Sequence, residues 1–529
     1  MTGREGAMPS SLSARLEAAV EALPRAYPGP GGAVAVIREG AILVRHAWGY
    51  ANAERRIAFT PRTLFRICSI TKQFTCAVAL DAHGELSALD DDVRARLPIL
   101  EGPAPGATHL AHNQSGLRDY WAVAMLRGSP AEAPFGDLET DAIIAATRTL
   151  QFAPGTRFSY VNQNFRMLGD IVAERADMSL ADLLRTRIFD RIGMETAFLA
   201  ADTTAMPDGA TGYEGTQAGG FRAAENRILW TGDAGLGASL DDMIAWERHI
   251  DATRDDPGAL YSRLSAPVAF ADGRPVTYGY GLGRSTVFGR ASTGHGGGLR
   301  GWRSHRLYVP AERVSVVVLF NHLANASAAA IDLLAAILGE TAPGQDPSLP
   351  PPKWLGAYLE PETGLSVRVE AGSPGQVRLR FGHSPDTLDL RQDGSAGKDA
   401  GPRLRPGEGG LWLDRPGDNA STRLTPLAPP TGARDVAGRY RCEEYGAVLT
   451  VADAGGMLYG GFSGALGQGR MELLDPVGAD VWALPCHRAL DHTPPGDWTL
   501  AFRRDAGGAV TGATVGCWLA RGLPYDRLG

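Results

Sequence analysis

Leu64-Phe65-Arg66-Ile67-Cys68-Ser69-Ile70-Thr71-Lys72-Gln73-Phe74-Thr75-Cys76-Ala77-Val78-Ala79-Leu80 is the stretch around which the chain is organised. An apolar run enters it, a Ser and a Lys stand three residues apart, and an Ala/Val/Leu-rich segment without Gly or Pro closes it. That closing composition belongs to a buried helix. On a helix, positions i and i+3 share one face, about 4.5 Å apart along the axis, so Ser69 and Lys72 are predicted to meet in the first turn. The unpaired N–H groups and the dipole of that turn favour a developing oxyanion. A seryl hydroxyl attacks once a neighbouring base takes its proton, and a desolvated Lys can lose its charge and serve. An ordinary helix cap followed by a surface Lys has the same pattern, so the chemistry must be sought in further residues downstream.

Upstream, Ala33-Val34-Ala35-Val36-Ile37 reads as a buried strand, turned by Arg38-Glu39-Gly40 into a second strand over Ala41–Tyr50. Downstream, helical patterns run to about residue 200, interrupted by a loop at Asn113–Tyr120. Strand character returns at Val276–Gly283, Ser292–Gly298, Trp302–Val309 and Arg313–Asn321, and a helix is expected over Ala324–Leu338. Strands near both ends with helices between them predict one mixed α/β domain, residues 1–340, whose sheet closes by pairing its N- and C-terminal strands.

Thr341–Pro352, rich in Pro and Gly, is a linker by composition. Beyond it short alternating strands prevail, split by a second Pro/Gly-rich break at Pro426–Ala433. Trp354-Leu355-Gly356-Ala357-Tyr358 and Val436-Ala437-Gly438-Arg439-Tyr440 open the halves alike, so two related antiparallel barrels or sandwiches are expected at residues 346–430 and 434–529.

The net charge of −7 argues against nucleic acid or a membrane surface as the main partner. Five scattered Cys, an odd number without Cys-x-x-Cys spacing, fit a reducing compartment better than a disulfide framework. Met1–Arg25 reads as an amphipathic helix rather than a secretory signal, and no apolar run reaches transmembrane length. The expectation is a soluble cytoplasmic protein. Neither metal-ligand spacing nor a strand–Gly-x-Gly-x-x-Gly–helix context is found, and no cofactor is expected.

Two further stretches bear on Ser69. Tyr160-Val161-Asn162 follows the turn Pro154-Gly155 and offers a phenol and an amide on one side of an extended turn. A phenol shuttles protons when a neighbouring Lys lowers its pKa. In Thr293-Gly294-His295-Gly296-Gly297-Gly298, the glycines let a substrate lie against backbone and an N–H reach an oxyanion. Ser69-x-x-Lys72, Tyr160-x-Asn162 and His295-Gly296-Gly297, in that order, resemble the penicillin-recognising serine hydrolases. That family includes class C β-lactamases, D,D-carboxypeptidases, esterases and D-aminopeptidases. The surrounding Pro61-x-Thr63-x-Phe65, Gln114-Ser115-Gly116-Leu117 and Phe152-x-Pro154-Gly155 agree with it. His295, where β-lactamases carry Lys, resembles the esterase, carboxypeptidase and aminopeptidase branch, and the two β-rich tail segments resemble the D-aminopeptidases within it.

The resemblance implies an α/β, β-lactamase-like catalytic domain with a central antiparallel sheet flanked by helices, followed by two antiparallel barrels. Ser69 is then the acylated nucleophile, and Lys72 and Tyr160 share the proton, with the order between them open. Asn162 orients Lys72 and the substrate amide, and His295 assists the proton path or fixes Tyr160. The backbone N–H groups of Ser69 and Gly298 form the oxyanion hole. The resemblance also implies a loop of the last domain, near Cys486–Gly496, that narrows the site and supplies an acid. A substrate ammonium needs a carboxylate; Asp491 is the first candidate and Asp233 the second, while Asp119 reads as a loop cap and Cys68 as packing. The expected substrate is a small peptide or amino-acid amide, and a homodimer is compatible with the family. Two rival readings stand: a D,D-carboxypeptidase or esterase, using Arg300 or Arg303 for a substrate carboxylate, and an inert penicillin-binding-like sensor.

Overall fold

The computed structural model describes residues 11–340, 349–382, 384–398, 401–491 and 495–529. The chain forms two compact units. One holds the described residues of Met1–Glu85, Leu168–Ala266 and Tyr278–Pro343, the other Leu86–Met167, Pro267–Thr277 and the described residues of Gly344–Gly529. The first ten residues of the expected N-terminal helix and residues 341–348 of the expected linker lie outside the described residues.

The first unit is built on an eight-stranded antiparallel sheet. From one edge it runs Ile57–Ala58, Ala41–Asn52, Gly31–Arg38, Val314–Phe320, Trp302–Val309, Arg290–Leu299, Leu282–Val287 and Tyr278–Gly279. The predicted hairpin forms with Glu39 and Gly40 both at positive φ (53° and 76°), the turn whose twist matches that of its strands. The predicted pairing of the sequence ends is also present, with Val34 opposite Val318 and Val36 opposite Val316. The unbroken apolar run Ala33–Ile37 suits a strand covered on both faces. Val34, Val36, Val316 and Val318 pack with Leu16 and Leu23 of the helix Leu12–Ala26 and with Leu333, Leu334 and Ile337 of the helix Ala326–Leu338.

Local chemistry moves some expected boundaries. The strand expected over Val276–Gly283 is broken at Tyr280–Gly281, both at positive φ (52° and 72°), because this turn lies against the start of the helix Thr71–His83. A Cβ on Gly281 would stand 2.4 Å from the Gln73 nitrogen. Arg313, at φ 51°, closes a turn, so its strand begins at Val314. Asn325 caps the last helix through the Ala328 N–H at 3.0 Å, so that helix starts at Ala326 rather than Ala324.

In the second unit each β-rich tail segment closes into a barrel. The first sheet runs from Ala420–Arg423 through to Gly356–Glu360 and then Thr425–Pro426. Its two edges are consecutive in sequence, joined by the buried Leu424, so one chain segment seals the seam. In the second, Glu472–Leu473 pairs with Met457–Gly464 and Asp475–Gly478 pairs with Val481–Leu484, with the buried Leu474 as the joint. The shared Gly-x-Tyr openings have a common geometry. The Tyr358 hydroxyl donates to the Trp354 carbonyl at 2.7 Å, and the Tyr440 hydroxyl to the Val436 carbonyl at 2.6 Å. The preceding glycines sit at φ 153° and 158°. No disulfide joins the five cysteines.

Within the first unit, Arg306 of the sheet and Glu247 of the helix Leu240–Ala252 form a two-pronged ion pair (2.6 and 2.7 Å) with no solvent exposure at either side chain. The Tyr261 hydroxyl accepts a further bond from Arg306 at 2.7 Å. Removing one partner leaves a buried charge uncompensated. Glu247→Ala is therefore expected to cost about 3–5 kcal/mol, read as a lowered urea midpoint for unfolding of the intact protein.

Candidate active site

Phe65–Arg66 pairs with Leu236–Ala238, and the Ile67 N–H continues the ladder to the Leu236 carbonyl at 3.1 Å. The chain then turns sharply: Cys68 takes φ 51°, Cys68–Ile70 form one 3₁₀ turn, and the α-helix begins at Thr71. Ser69 thus sits in the turn before the helix rather than inside its first turn. The spacing still serves, because the Lys72 Nζ lies 3.0 Å from the Ser69 Oγ.

A non-Gly residue at positive φ costs about 1–2 kcal/mol and persists where its surroundings fix it. Here they do. The Thr71 hydroxyl donates to the Cys68 carbonyl at 2.6 Å and accepts the Leu236 N–H at 3.0 Å. The Ser304 hydroxyl donates to the Ile67 carbonyl at 2.9 Å. A Cβ on Gly297 would fall 2.2 Å from that same carbonyl, so only Gly lets this strand approach the Ile67–Ser69 turn. Gly298 follows, paired with Arg303 in the same sheet. Cys68 is wholly buried, as a packing residue should be.

Lys72 has no solvent exposure. Its Nζ donates to the Asp233 carbonyl at 2.7 Å, and the Thr75 hydroxyl donates to the neighbouring Gly232 carbonyl at 2.6 Å. The Asp233 carboxylate accepts the Thr231 N–H at 3.2 Å and is buried with its turn. His295 shares a hydrogen bond with the Tyr278 hydroxyl through Nε2 at 3.0 Å, and its Nδ1 faces the Gly296 carbonyl. A carbonyl only accepts, so Nδ1 carries the hydrogen and Nε2 accepts from Tyr278. Burial first, then the nearby Lys72 charge, pushes the His295 pKa down to about 3, so the ring is neutral at physiological pH.

Tyr160, Asn162 and Asp491 belong to the second unit. The turn carrying Tyr160 and Asn162 is fixed by hydrogen bonds internal to that unit. The Asp119 carboxylate accepts the Asn162 N–H at 2.6 Å and the Asn162 side-chain amide at 3.0 Å, while capping the helix Tyr120–Leu126 through the Trp121 N–H at 3.0 Å. Asn113, at φ 54°, accepts the Val161 N–H at 3.2 Å and the Asn164 side-chain amide at 3.0 Å. Gln163 accepts the Tyr120 N–H at 2.9 Å. The Asn113–Tyr120 loop is thus the cradle of the Tyr160 turn. In the sequence Asp119 reads only as a cap, and Asn113, Gln163, Thr71 and Tyr278 carry no site signal. What marks them in the fold is polarity without solvent: Asn113, Gln163 and Asp119 are all buried. Asp491 is 5% exposed; of the loop expected around it, residues 492–494 lie outside the described residues. Among the described residues no group of three His, Cys, Asp or Glu is placed to hold a metal ion.

The model of the beta-lactamase family matches residues 16–340, and the model described as D-aminopeptidase, domain B, matches residues 348–526. The chain belongs to the beta-lactamase family. It is 58% identical over 527 residues to a D-aminopeptidase of Gluconobacter oxydans (strain 621H), covering 98% of this chain and 100% of that one. It is 46% identical over 521 residues to a D-aminopeptidase of Brucella canis, with 98% and 100% covered. Among solved structures, the octameric penicillin-binding protein homologue from Pyrococcus abyssi superposes with a TM-score of 0.53 at 22% identity, covering 87% of this chain and 99% of that one. The D-amino acid amidase from Ochrobactrum anthropi SV3 superposes with a TM-score of 0.51 at 20% identity, covering 62% and 99%. These two share the fold. In this beta-lactamase-family chain the expected β-lactamase-like domain and the antiparallel barrels are present.

Two predictions follow from the geometry. Gly297→Ala must displace the Ile67–Cys68 backbone, and a misplacement of about 1 Å costs about 100-fold in turnover; kcat for any substrate the protein hydrolyses is expected to fall by that order while the protein remains folded. The second concerns acid. His305 and His322, like His295, are pushed down by burial, to about 4. All three regain a pKa of about 6.5 on unfolding. Below that pH the unfolded chain binds more protons, so stability falls as pH drops from about 6.5 through 4 towards 3. Urea midpoints measured across that window are expected to decline, and less steeply in His295→Gln.

Proposed function

We propose that this protein is a D-stereospecific aminopeptidase that releases small N-terminal D-amino acids, such as D-Ala, from peptides, amides and esters through an acyl-enzyme. The observation that carries this reading is the 3.0 Å contact between the buried Lys72 and Ser69, in a chain 58% identical over almost its whole length to a D-aminopeptidase. Ser69 Oγ attacks the carbonyl carbon of the N-terminal residue, and its proton passes to the Lys72–Tyr160 pair. The backbone N–H groups of Ser69 and Gly298 receive the oxyanion. The C–N bond then breaks and the leaving amine takes the proton. Water, deprotonated by the same pair, attacks the ester carbon; the C–Oγ bond breaks, Ser69 Oγ takes the proton back, and the D-amino acid is freed. His295, neutral and tied to Tyr278, supports the proton path without adding charge, and Asn162, held by Asp119, orients the substrate amide.

An aminopeptidase must hold a substrate ammonium. Of the two candidate carboxylates, Asp233 is engaged by its own turn and presents its carbonyl to Lys72, which favours Asp491. A carboxypeptidase would need a cation instead. Arg303 donates to the Leu299 and Trp302 carbonyls at 3.2 and 2.9 Å, and Arg300 donates to the Glu225 carbonyl, commitments that favour the aminopeptidase. The division into residues 1–340, 346–430 and 434–529, the cytoplasmic location and the homodimer belong to the same proposal.

The purified protein is expected to hydrolyse D-Ala-p-nitroanilide but neither L-Ala-p-nitroanilide nor N-acetyl-D-Ala-p-nitroanilide. Ser69→Ala should lower kcat by about four orders of magnitude or more, and Asp491→Asn should lower kcat/KM about 10- to 100-fold through the lost charged contact. Turnover of the acetylated compound, with Asp491→Asn unimpaired, would place the protein with the carboxypeptidases and esterases instead.

A further inference from the structure

The second unit contains a cavity of about 180 Å³ that receives four arginine side chains, Arg118, Arg157, Arg415 and Arg521, against an apolar wall that includes Leu150 and Phe152. Three of the four have carboxylate partners. Arg118 faces Glu444 at 3.6 Å, Arg157 pairs with Glu362 at 2.8 Å, and Arg415 pairs with Asp418 at 2.8 Å and Glu360 at 3.4 Å.

Arg521 is different. Its side chain makes one hydrogen bond, from Nε to the Trp518 carbonyl at 3.1 Å. Its guanidinium stacks over the Trp518 ring, 4.3 Å from the ring centre. It forms no ion pair among the described residues, and its buried Nη2 has no hydrogen-bond partner. Yet Arg521 is only 7% exposed. Burial lowers its pKa to about 10, so it remains a cation at neutral pH. The Nε of Arg415, on a side chain 5% exposed, likewise lacks a partner. Asp418 and Glu360 lie near enough to favour the Arg521 charge, but both are paired with Arg415 and neither bonds the Arg521 guanidinium. A buried N–H without a partner is costly, and an anion entering beside it recovers part of that cost. A planar guanidinium fork matches the oxygen spacing of a carboxylate or a phosphate. The volume suits a small anion.

We propose that this cavity is a binding site for a small oxyanion, with Arg521 as its principal ligand and Arg415 as its second. The substrate chemistry assigned to Ser69 is no part of the argument. The wall also carries Glu362 and Asp418, each paired with an arginine of the site.

The test is calorimetric titration of the intact protein with inorganic phosphate, sodium acetate and sodium chloride at matched ionic strength. Two variants accompany it. Arg521→Met removes the unpaired cation. Leu150→Glu, at a half-buried wall position, supplies a resident carboxylate and keeps the arginine. Saturable one-to-one binding of phosphate or acetate is expected, weakened about tenfold or more in both variants, the loss of one charged hydrogen-bonding partner. The tighter of the two anions identifies the oxyanion class. Absence of saturable binding, chloride binding as tightly as both oxyanions, or affinity unchanged in Leu150→Glu would each overturn the proposal. If Arg521→Met does not fold, Leu150→Glu decides alone.

Discussion

The burial of the Lys72 ammonium nitrogen governs the first unit. A cation with no solvent exposure must find its hydrogen-bond partners in the protein, and the Asp233 carbonyl and the Ser69 hydroxyl are among them. Everything nearby follows from holding those oxygens in place. Thr75 ties down Gly232, Thr71 bridges the Cys68–Ser69 turn to the Leu236 strand, and Ser304 anchors the Ile67 carbonyl from the neighbouring sheet. The left-handed Cys68 is the conformational cost of aiming Ser69 back along the helix, and the glycines at 281 and 297 are the positions where backbone must approach closely enough to hold it.

The second unit solves a parallel problem by different means. Its Tyr160–Asn162 turn has no regular secondary structure of its own, and an irregular buried segment must have every backbone group answered. Asp119 and Asn113 answer the Asn162 and Val161 N–H groups from side chains, and Gln163 ties the turn back to the Tyr120 N–H. The loop that carries Asp119 is held in turn by the last barrel: the Asp119 N–H donates to the Leu519 carbonyl at 2.9 Å, and Arg118 Nε to the Arg521 carbonyl at 3.1 Å. Glu444 of the same barrel accepts the Arg148 and Thr149 N–H groups at 3.0 Å each. Within this unit the barrel is thus a structural support of the turn, whatever else it does.

Much of this was legible in the chain. The sheet was readable because Ala33–Ile37 and Val316–Phe320 are apolar runs of strand length, and their pairing follows from where they stand in the sequence. Barrel closure was not readable, because it depends on single joints, Leu424 and Leu474, that look like any leucine. The Gly-x-Tyr openings did show in the sequence, and the structure gives their reason in a tyrosine hydroxyl satisfied by the carbonyl four residues back. At the site, Ser69, Lys72 and His295 stood out by spacing and type. Thr71 and Tyr278 did not, because a buried hydroxyl acting through a backbone carbonyl or an imidazole leaves no spacing rule. The break at Tyr280–Gly281 was missed for the same kind of reason: a strand-like composition gave way to the need to pack against the Lys72 helix.

The neutral state of His295 narrows what it can contribute. The ring is held uncharged by burial and by the nearby Lys72 charge. Two cations so near each other would repel, and neutrality removes that conflict. With Nδ1 donating to Gly296 and Nε2 accepting from Tyr278, the ring has no spare hydrogen to give, so it can transmit a proton only if Tyr278 moves one in concert. Its static effect is to hold the Gly296–Gly298 strand and the Tyr278 ring in fixed relation. The electrostatic burden of the first unit's site therefore rests on one side chain, Lys72, together with backbone dipoles, an arrangement suited to a reaction whose developing charge sits on an oxygen facing backbone N–H groups.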